Sequence, residues 1–437
     1  MFTLKNEDKK TKILLVTFIG IYLFLCILSF IIHGDRGMLI GDLIKMDDDD
    51  VKYLRSAWTL LETGKYTYNY PDINTVFIMP GITTVLAGFV AVFGKYPILP
   101  FKIFQAILGA LSLYITFHIS RKVFSKNAAL ITVFISSIYF PNIFVANIIL
   151  TEQIFTFLLT LLILIVYYAV WKRKTKYYIW GGVVLGLMAL FRPTILMFPL
   201  VVLVLWIINK YKFVNIIKYS LLVIAIVCAM LSPWIIRNYM VFDKFIPLTL
   251  SSGNPFWKGT YINYDQSVSK IENIDYESLI RAEGKINYDD YGRNEIVNDE
   301  VETWIGNYRI KNTMTKEPLK YIYWYTIGKT KENWYTPFLW KNLFNLPSSL
   351  GYNSTTSIHR LYLIIAFAAI ISLIRRKEFK NIHWLLILTV IYFNTVYLPF
   401  YCFSRYMYPV MFIVLIYTGQ GVYELGRYIK SKLLRSK

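Results

Sequence analysis

The sequence predicts an all-α membrane protein whose chain crosses the bilayer many times. Hydrophobic residues make up 56% of the 437 residues, and the mean hydropathy is positive. Apolar runs that approach the roughly 20 residues needed to cross a bilayer recur along the chain. No small-residue cleavage site follows the first of these runs, so we expect a retained helix rather than a signal peptide.

The basic residues carry topological information. A formal net charge of +20 would suggest a nucleic-acid partner in a soluble protein. Here many of the lysines and arginines stand in short clusters between apolar runs, which is typical of cytoplasmic loops. We therefore expect no nucleic-acid partner. The three cysteines have neither pairing nor metal-ligand spacing, so we expect no disulfide framework.

Placing the basic clusters in the cytoplasm predicts about ten spans, with both chain ends on that side. We expect one span to rise through Gly181, Gly182 and Gly186, small residues that allow close helix packing, and to end near the helix-breaking Pro193. Residues 80–94 are short for a crossing and predict a juxtamembrane or re-entrant helix. The other spans are expected at about 13–32, 99–119, 127–147, 153–171, 194–209, 216–233, 359–374, 382–400 and 407–424.

These spans divide the chain into three parts. Residues 1–237 form an N-terminal transmembrane region, which includes a first outside loop at 34–76. Residues 238–356 are hydrophilic and are expected outside the cytoplasm, because such a stretch is too long to be a mere connector. We expect helices in it at about 294–315 and 317–334. Residues 357–437 form a C-terminal transmembrane region.

Four successive aspartates, Asp47–Asp50, open a helix in the first outside loop. Gly64 stands where a C-terminal cap belongs. The pattern indicates an amphipathic helix that lies on the bilayer with its acids at the positive end. Alternatively, the acids only cap the helix and stay solvated. A divalent cation is a weaker possibility, because adjacent helical residues point in different directions. The apolar stripe of this helix consists of Val51, Leu54, Trp58 and Leu61.

Beside the Asp run, a few charged residues stand at the outer membrane edge: Glu152, Arg192, Arg237 and Arg405. Arginines at membrane depth usually have a partner. Each could pair with a lipid headgroup or a helix C-terminus, and Trp234 could be only an interfacial anchor. Together, however, arginines that bind phosphate and carboxylates that act as bases favour a site for an anionic lipid phosphate.

Several short motifs follow one another along the chain in a recognisable order: Asp49–Tyr53, Leu60–Tyr66, Met79–Gly81, Thr151-Glu152, Gly186–Thr194, Pro233–Tyr239 and Arg405-Tyr406. Their content and order resemble those of the bacterial branch of the dolichyl-phosphate-mannose–protein mannosyltransferase-like family, which is related to protein O-mannosyltransferases and lipid A aminoarabinose transferases. The resemblance implies the GT-C fold of helical membrane glycosyltransferases.

The resemblance also implies an activity. Such a protein would transfer a hexosyl or pentosyl group from a polyprenyl-phosphate-linked donor to an acceptor glycan, lipid or protein, with inversion, on the extracytoplasmic face. Asp49 would orient or deprotonate the acceptor hydroxyl. Asp50 stands where the family usually has Glu, and Glu152 would be a second acid. By the same resemblance we expect neither a metal nor another cofactor.

The binding residues follow from the same resemblance. Some relatives have a lysine just before the proline of the Pro80 segment, where this chain has Ile78-Met79. Other basic residues would then hold the leaving phosphate, and charge developing on its oxygen favours cations. The candidates for that contact are Arg237, Arg405, Arg192 and Lys52. The candidates for binding acceptor or sugar are Tyr53, Trp234 and Asn238.

Two other functions fit the same composition. A transporter or flippase for polyprenyl lipids or solutes would be expected to carry charged residues near the bilayer midplane and inverted repeats. In this sequence the charges collect at one edge. A scaffold that keeps the fold without activity is the other alternative, and an intact Asp49 argues against it.

Overall fold

The computed structural model describes residue 4 and residues 7–266 and 274–435. Within these ranges every regular element is a helix or a helical turn, and there is no strand. The chain ends and residues 267–273 lie outside this description. The first helices are α1 (Lys9–His33), α2 (Asp49–Thr63), α3 (Gly81–Phe93), α4 (Ile98–Val123), α5 (Lys126–Ser137), α6 (Phe140–Ala146), α7 (Glu152–Lys172), α8 (Thr175–Ala189), α9 (Pro199–Ile208) and α10 (Phe213–Phe242). Then follow α11 (Gly253–Gly259), α12 (Tyr276–Glu283), α13 (Glu295–Asn312), α14 (Pro318–Tyr323), α15 (Lys329–Trp334), α16 (Ser354–Arg375), α17 (Asn381–Tyr397) and α18 (Met411–Arg435).

Short helical turns join these elements. The 3₁₀ segments are Pro193–Met197, Ile262–Tyr264, Tyr288–Asp290, Met314–Lys316, Leu343–Asn345, Ser404–Tyr406 and Tyr408–Val410, and the π-helical turns are Trp324–Gly328 and Ser349–Asn353. The turn at Pro193 confirms the predicted break after α8. In the hydrophilic segment (238–356), α13 and the nearly continuous helix from Pro318 to Trp334 confirm the two predicted helices.

The prediction of an all-α membrane protein is confirmed. Among the described residues, α1, α4, α7, α10 and the stretch Ser349–Arg375 are long and apolar enough to cross a membrane. The pair α5 and α6, bent by 57°, makes a sixth candidate. Each of the remaining predicted spans also coincides with a helix, but these helices are shorter or less apolar. The count of about ten spans therefore stays a prediction.

The glycines of α8 allow the close packing that the sequence predicts. A Cβ atom on Gly186 would lie 2.6 Å from the sulfur of Met230, and one on Gly182 would lie 3.2 Å from Ile226. Both partners belong to α10, so α8 and α10 are in direct backbone-to-side-chain contact. Small residues permit this approach where a larger side chain would separate the helices.

The amphipathic helix α2 forms as predicted, but most of its apolar stripe faces protein and not lipid. It begins at Asp49 and ends at Gly64, whose φ of +73° is the left-handed conformation of a C-terminal cap. Val51, Leu54 and Trp58 are buried, whereas Leu61 is 48% exposed. Because α2 packs against α3, the stripe faces protein. The prediction of a bilayer-facing stripe is wrong for Val51, Leu54 and Trp58.

Candidate active site

Asp49, the first residue of α2, lies at the mouth of a cavity. Its Oδ1 accepts a hydrogen bond of 2.5 Å from the Tyr68 hydroxyl, and its Oδ2 accepts one of 2.8 Å from Arg405 Nη1. The side chain is 42% exposed. Burial acts to raise the pKa of this carboxyl, but the charge of Arg405, the two hydrogen bonds and the charge of Lys52 together lower it below its ordinary value. Asp49 is therefore an ionised carboxylate with room for a ligand beside it.

Behind Asp49, Glu152 is fully buried at the start of α7. Its Oε1 accepts hydrogen bonds from Arg192 Nη2 and from Arg405 Nε. Arg192 also donates from Nε to Thr151 Oγ1 at 3.0 Å. Arg405 thus bridges the two acids, and the chain Asp49–Arg405–Glu152–Arg192 contains two carboxylates and two guanidinium groups. Buried charges are tolerated when they are paired in this way.

Four separate elements contribute to this charge chain. Asp49 and Glu152 are the first residues of helices, where the helix dipole favours a negative charge. Arg192 stands in extended conformation between α8 and the turn that starts at Pro193. Arg405 lies in the turn Ser404–Tyr406, and its Cζ atom is 5.6 Å from the ring centroid of Trp340. Residues far apart in sequence therefore meet only because the bundle folds.

The cavity beside Asp49 has a volume of about 700 Å³. Its lining is of three kinds. Asp49, Arg192, Arg405 and Lys258 carry charge. The apolar residues include Phe77, Ile78, Met79, Ile82, Phe191 and Pro193. The hydrophilic segment, which contributes Lys258, also adds the polar residues Thr249, Ser251, Ser252, Asn254 and Gln266. Such a site can hold a molecule that has a charged or polar end and an apolar part.

Tyr53 and Lys52 lie near Asp49 but differ in their relation to the cavity. Tyr53 lines it, and its ring centroid is 5.5 Å from that of Tyr68. Lys52 Nζ lies 5.6 Å from the ring centroid of Tyr68. Among the described residues that line the cavity, Lys52 is absent. Its charge still reaches Asp49, whose pKa it helps to lower.

The three predicted residues of α10 are not among the cavity-lining residues, and they bind backbone carbonyls and side-chain amides instead. Arg237 donates from Nη1 to the carbonyl oxygen of Thr75 at 2.7 Å and from Nη2 to Asn74 Oδ1 at 3.1 Å. Trp234 Nε1 donates to the Leu248 carbonyl at 2.8 Å, and Asn238 Nδ2 donates to the Ile246 carbonyl at 2.9 Å. This geometry gives the three side chains a role in holding loops.

Asp50 points away from Asp49 and into protein. Its carboxylate accepts backbone N–H groups from Ile40 at 2.6 Å, Gly41 at 3.1 Å and Val51 at 2.9 Å. Burial raises the pKa of Asp50, against these hydrogen bonds. The adjacent residues Asp49 and Asp50 thus have different partners: side chains for Asp49 and backbone N–H groups for Asp50. In the described part of the chain, no group of three or more His, Cys, Asp or Glu side chains could hold a metal ion.

Sequence reasoning missed two residues of the site. Tyr68, which donates to Asp49, follows the motif Leu60–Tyr66 by two positions, and its aromatic character was the only available signal. Lys258 lies in the hydrophilic segment, where no motif singled it out. The position of Tyr68 depends on the loop that follows α2, and that of Lys258 depends on the packing of α11 against α13. Helix periodicity predicts neither.

Comparison with known proteins supports the resemblance of the motifs. The family model described as dolichyl-phosphate-mannose-protein mannosyltransferase matches residues 79–236. This stretch includes Glu152 and Arg192, begins after Asp49 and ends before Arg405. The predicted resemblance is confirmed over these residues. No curated protein sequence matches the chain.

Solved structures extend the comparison to most of the chain. The archaeal oligosaccharyltransferase AglB from Archaeoglobus fulgidus, solved with an inhibitory peptide and a dolichol-phosphate, aligns over 96% of this chain and 51% of its own, with a TM-score of 0.52 and 12% identity. The chain has the GT-C fold. It spans about half the length of that oligosaccharyltransferase. ArnT from Cupriavidus metallidurans in the apo state aligns over 93% of this chain and 76% of its own, with a TM-score of 0.43 and 14% identity.

Proposed function

We propose that this membrane protein transfers a sugar from a polyprenyl-phosphate-linked donor to the hydroxyl group of an acceptor glycan, lipid or protein. One observation carries the proposal: the ionised carboxylate of Asp49 faces a cavity of about 700 Å³ that has both a charged and an apolar lining. The apolar part suits the isoprenoid chain and the charged part suits the phosphate and sugar. The family match over residues 79–236 and the dolichol-phosphate bound to the structurally similar AglB support this class of donor.

The proposed reaction is a single displacement at the anomeric carbon. The acceptor hydroxyl gives its proton to Asp49, and its oxygen forms a bond to that carbon. The bond between the anomeric carbon and the phosphate oxygen breaks, and the polyprenyl phosphate leaves with the electron pair. Attack from the face opposite the leaving group inverts the configuration. No metal, oxidant or other co-reactant is needed for this balance.

Two arginines have different parts in the proposal. Arg405 binds both Asp49 and Glu152, so it holds the base in place and keeps it ionised. Arg192 lines the cavity, and its Nη1 has no hydrogen-bond partner among the described residues. We assign to Arg192 a contact with the leaving phosphate, since a guanidinium donates well to phosphate oxygens. Glu152 pairs with both arginines.

The variant Asp49→Asn tests the proposal directly. It keeps the shape of the side chain but cannot accept the proton. We expect kcat to fall by about 10²- to 10⁴-fold, the usual contribution of general base catalysis, in membranes supplied with a polyprenyl-phosphate sugar. Asp48→Asn is the matched control, because Asp48 is the exposed neighbouring residue and makes no side-chain cap. Full turnover by Asp49→Asn would remove this residue from catalysis.

A second experiment tests the rival function. A wild-type protein that moves the lipid across vesicle membranes but forms no glycosidic bond would support a transporter instead.

The orientation of the site is part of the proposal. With both termini in the cytoplasm, the cavity opens on the extracytoplasmic side. Single cysteines at Lys174 and Lys285, introduced into Cys228→Ser protein because Cys228 is exposed, test this. Both lysines are exposed. An impermeant thiol reagent should label position 285 and not position 174 in intact cells, and the reverse pattern would invert the topology.

A further inference from the structure

The cavity contains one cation that differs from the others. Asp49, Arg192, Arg405 and Lys258 are its charged lining residues among those described. The two arginines are paired with carboxylates, through Glu152 and Asp49. Lys258, on α11, makes no ion pair within 4 Å in the described chain. A lysine that lines a large cavity without a partner is available to an anionic ligand.

Nearby carboxylates do not account for Lys258. The charge of Lys258 acts to lower the pKa of Glu302 of α13, but the Glu302 carboxylate accepts its hydrogen bond, of 2.6 Å, from Asn254 Nδ2. Asp299 accepts the backbone N–H of Gly253 at 2.7 Å. These two acids bind the beginning of α11 and thereby fix the segment from which Lys258 extends. Neither of them lines the cavity.

We infer that Lys258 binds the phosphate group of the lipid-linked donor, and this inference rests on the proposed function. Asp49, Glu152, Arg192 and Arg405 carry no net charge together, so they do not neutralise an anionic substrate. Ile78 and Met79, which also line the cavity, bring no charge. Lys258 supplies the missing positive charge from the hydrophilic segment.

The balance also holds after the reaction. A sugar linked to a polyprenyl phosphate is a phosphodiester with one negative charge, which Lys258 matches. Transfer leaves a phosphate monoester that can carry two negative charges, while the proton from the acceptor neutralises Asp49. The charge chain then has one surplus positive charge, and this charge and Lys258 together match the product. The lysine thus completes neutrality in both states, which favours the build-up of negative charge on the leaving phosphate.

The experiment measures binding of farnesyl phosphate and of farnesol to full-length protein in detergent, with three variants. Lys258→Met should weaken binding of farnesyl phosphate by roughly tenfold or more, since a hydrogen bond to a charged group is lost. Binding of farnesol should not change. Lys258→Arg should restore most of the affinity for the phosphate. Lys311→Met removes the same charge from an exposed position of α13 and should bind both compounds like the wild type.

The outcomes separate this inference from the proposed function. If Lys258→Met binds farnesyl phosphate as tightly as the wild type, the inference is wrong, and sugar transfer by the wild type would still stand. Equal weakening for farnesyl phosphate and farnesol would indicate a structural role of Lys258 and would also overturn the inference. If binding depends on Lys258 but no sugar is transferred by the wild type, the phosphate site stands and the proposed function fails.

Discussion

Two groups of polar side chains at the same edge of the bundle differ in what they bind. The charge chain (Asp49, Glu152, Arg192 and Arg405) pairs charge with charge beside a cavity. The α10 brace (Trp234, Arg237 and Asn238) pairs its donors with backbone carbonyls and a side-chain amide. In sequence the two groups look alike, as isolated polar residues in short motifs. The residue type therefore does not distinguish a group that can respond to substrate from one that holds the scaffold. The binding partner of each side chain does.

The brace nevertheless acts on the charge chain through one loop. Arg237 binds the loop between α2 and α3 at Asn74 and Thr75. From the other side Glu295, the first residue of α13, accepts hydrogen bonds from Thr75 Oγ1 at 2.6 Å and from Asn69 Nδ2 at 3.1 Å. Tyr68, which donates to Asp49, belongs to this loop. We therefore expect both regions to be needed for activity, but by different mechanisms.

The largest effect is expected from Glu152→Gln. This change leaves Arg192 without a carboxylate and leaves Arg405 with Asp49 alone. Breaking a buried ion pair on one side destabilises a protein by about 3–5 kcal/mol, so we expect a lower unfolding temperature together with loss of transfer. Thermal unfolding in detergent and the transfer assay measure the two effects.

A control and a second variant sharpen that result. Glu62→Gln changes an exposed acid of α2 and should behave like the wild type. Adding Arg192→Gln to Glu152→Gln removes the cation that has lost its carboxylate and should restore part of the stability without restoring transfer. An unchanged unfolding temperature for Glu152→Gln would contradict the role of Glu152 as the shared partner of both arginines.

Arg237→Gln is expected to have an intermediate effect. It removes hydrogen bonds to Thr75 and Asn74 and should destabilise the protein by about 1–3 kcal/mol. The loop that carries Tyr68 should become more sensitive to proteolysis, and kcat should fall several-fold. Affinity for farnesyl phosphate should stay close to that of the wild type, because Arg237 is not among the cavity-lining residues.

This variant also distinguishes the brace from the role that the resemblance implied. If Arg237 held the leaving phosphate, Arg237→Gln would weaken binding of farnesyl phosphate more than that of farnesol. Arg36→Gln, at an exposed position whose side chain is 58% accessible, is the control for loss of one arginine. A selective loss of affinity for farnesyl phosphate would mean that Arg237 does bind the phosphate, as the resemblance implied.

Sequence reasoning succeeded where periodicity and order carry the information. Apolar runs and basic clusters predicted the helical membrane fold, and the ordered motifs pointed to Asp49, Glu152, Arg192 and Arg405, which the structure brings together. It could not predict that Asp50 turns inward to backbone N–H groups. Nor could it predict the contacts of the α10 brace. Both depend on irregular loops, whose course is determined by tertiary contacts and not by a repeat.

Tyr68→Phe, the last and smallest expected effect, tests the link between the brace and the charge chain. The change removes the hydroxyl that donates to Asp49 but keeps the ring, which packs against Tyr53 and Phe77. One hydrogen bond is worth about 1 kcal/mol, so the effect should be small. Because this hydrogen bond helps to lower the pKa of Asp49, its removal should raise that pKa.

The direction of the pH effect follows from the lowered pKa of Asp49. Burial opposes ionisation, but Arg405, Tyr68 and Lys52 outweigh it, so the carboxylate stays charged above its ordinary pKa of 3.8 and loses its charge only at a lower pH. Its favourable contacts are thus fully present above pH 3.8 and are lost as the pH falls through the lowered pKa.

In Tyr68→Phe the acid limb of kcat/KM should move to higher pH, so the ratio of activity at about pH 4 to that at about pH 6 should drop below the wild-type ratio. Tyr70→Phe is the matched control, because the Tyr70 hydroxyl binds the carbonyl of Gly292. An acid limb that does not move, or moves to lower pH, would mean that the loop does not control the ionisation of Asp49, and the brace would then be a support for the fold alone.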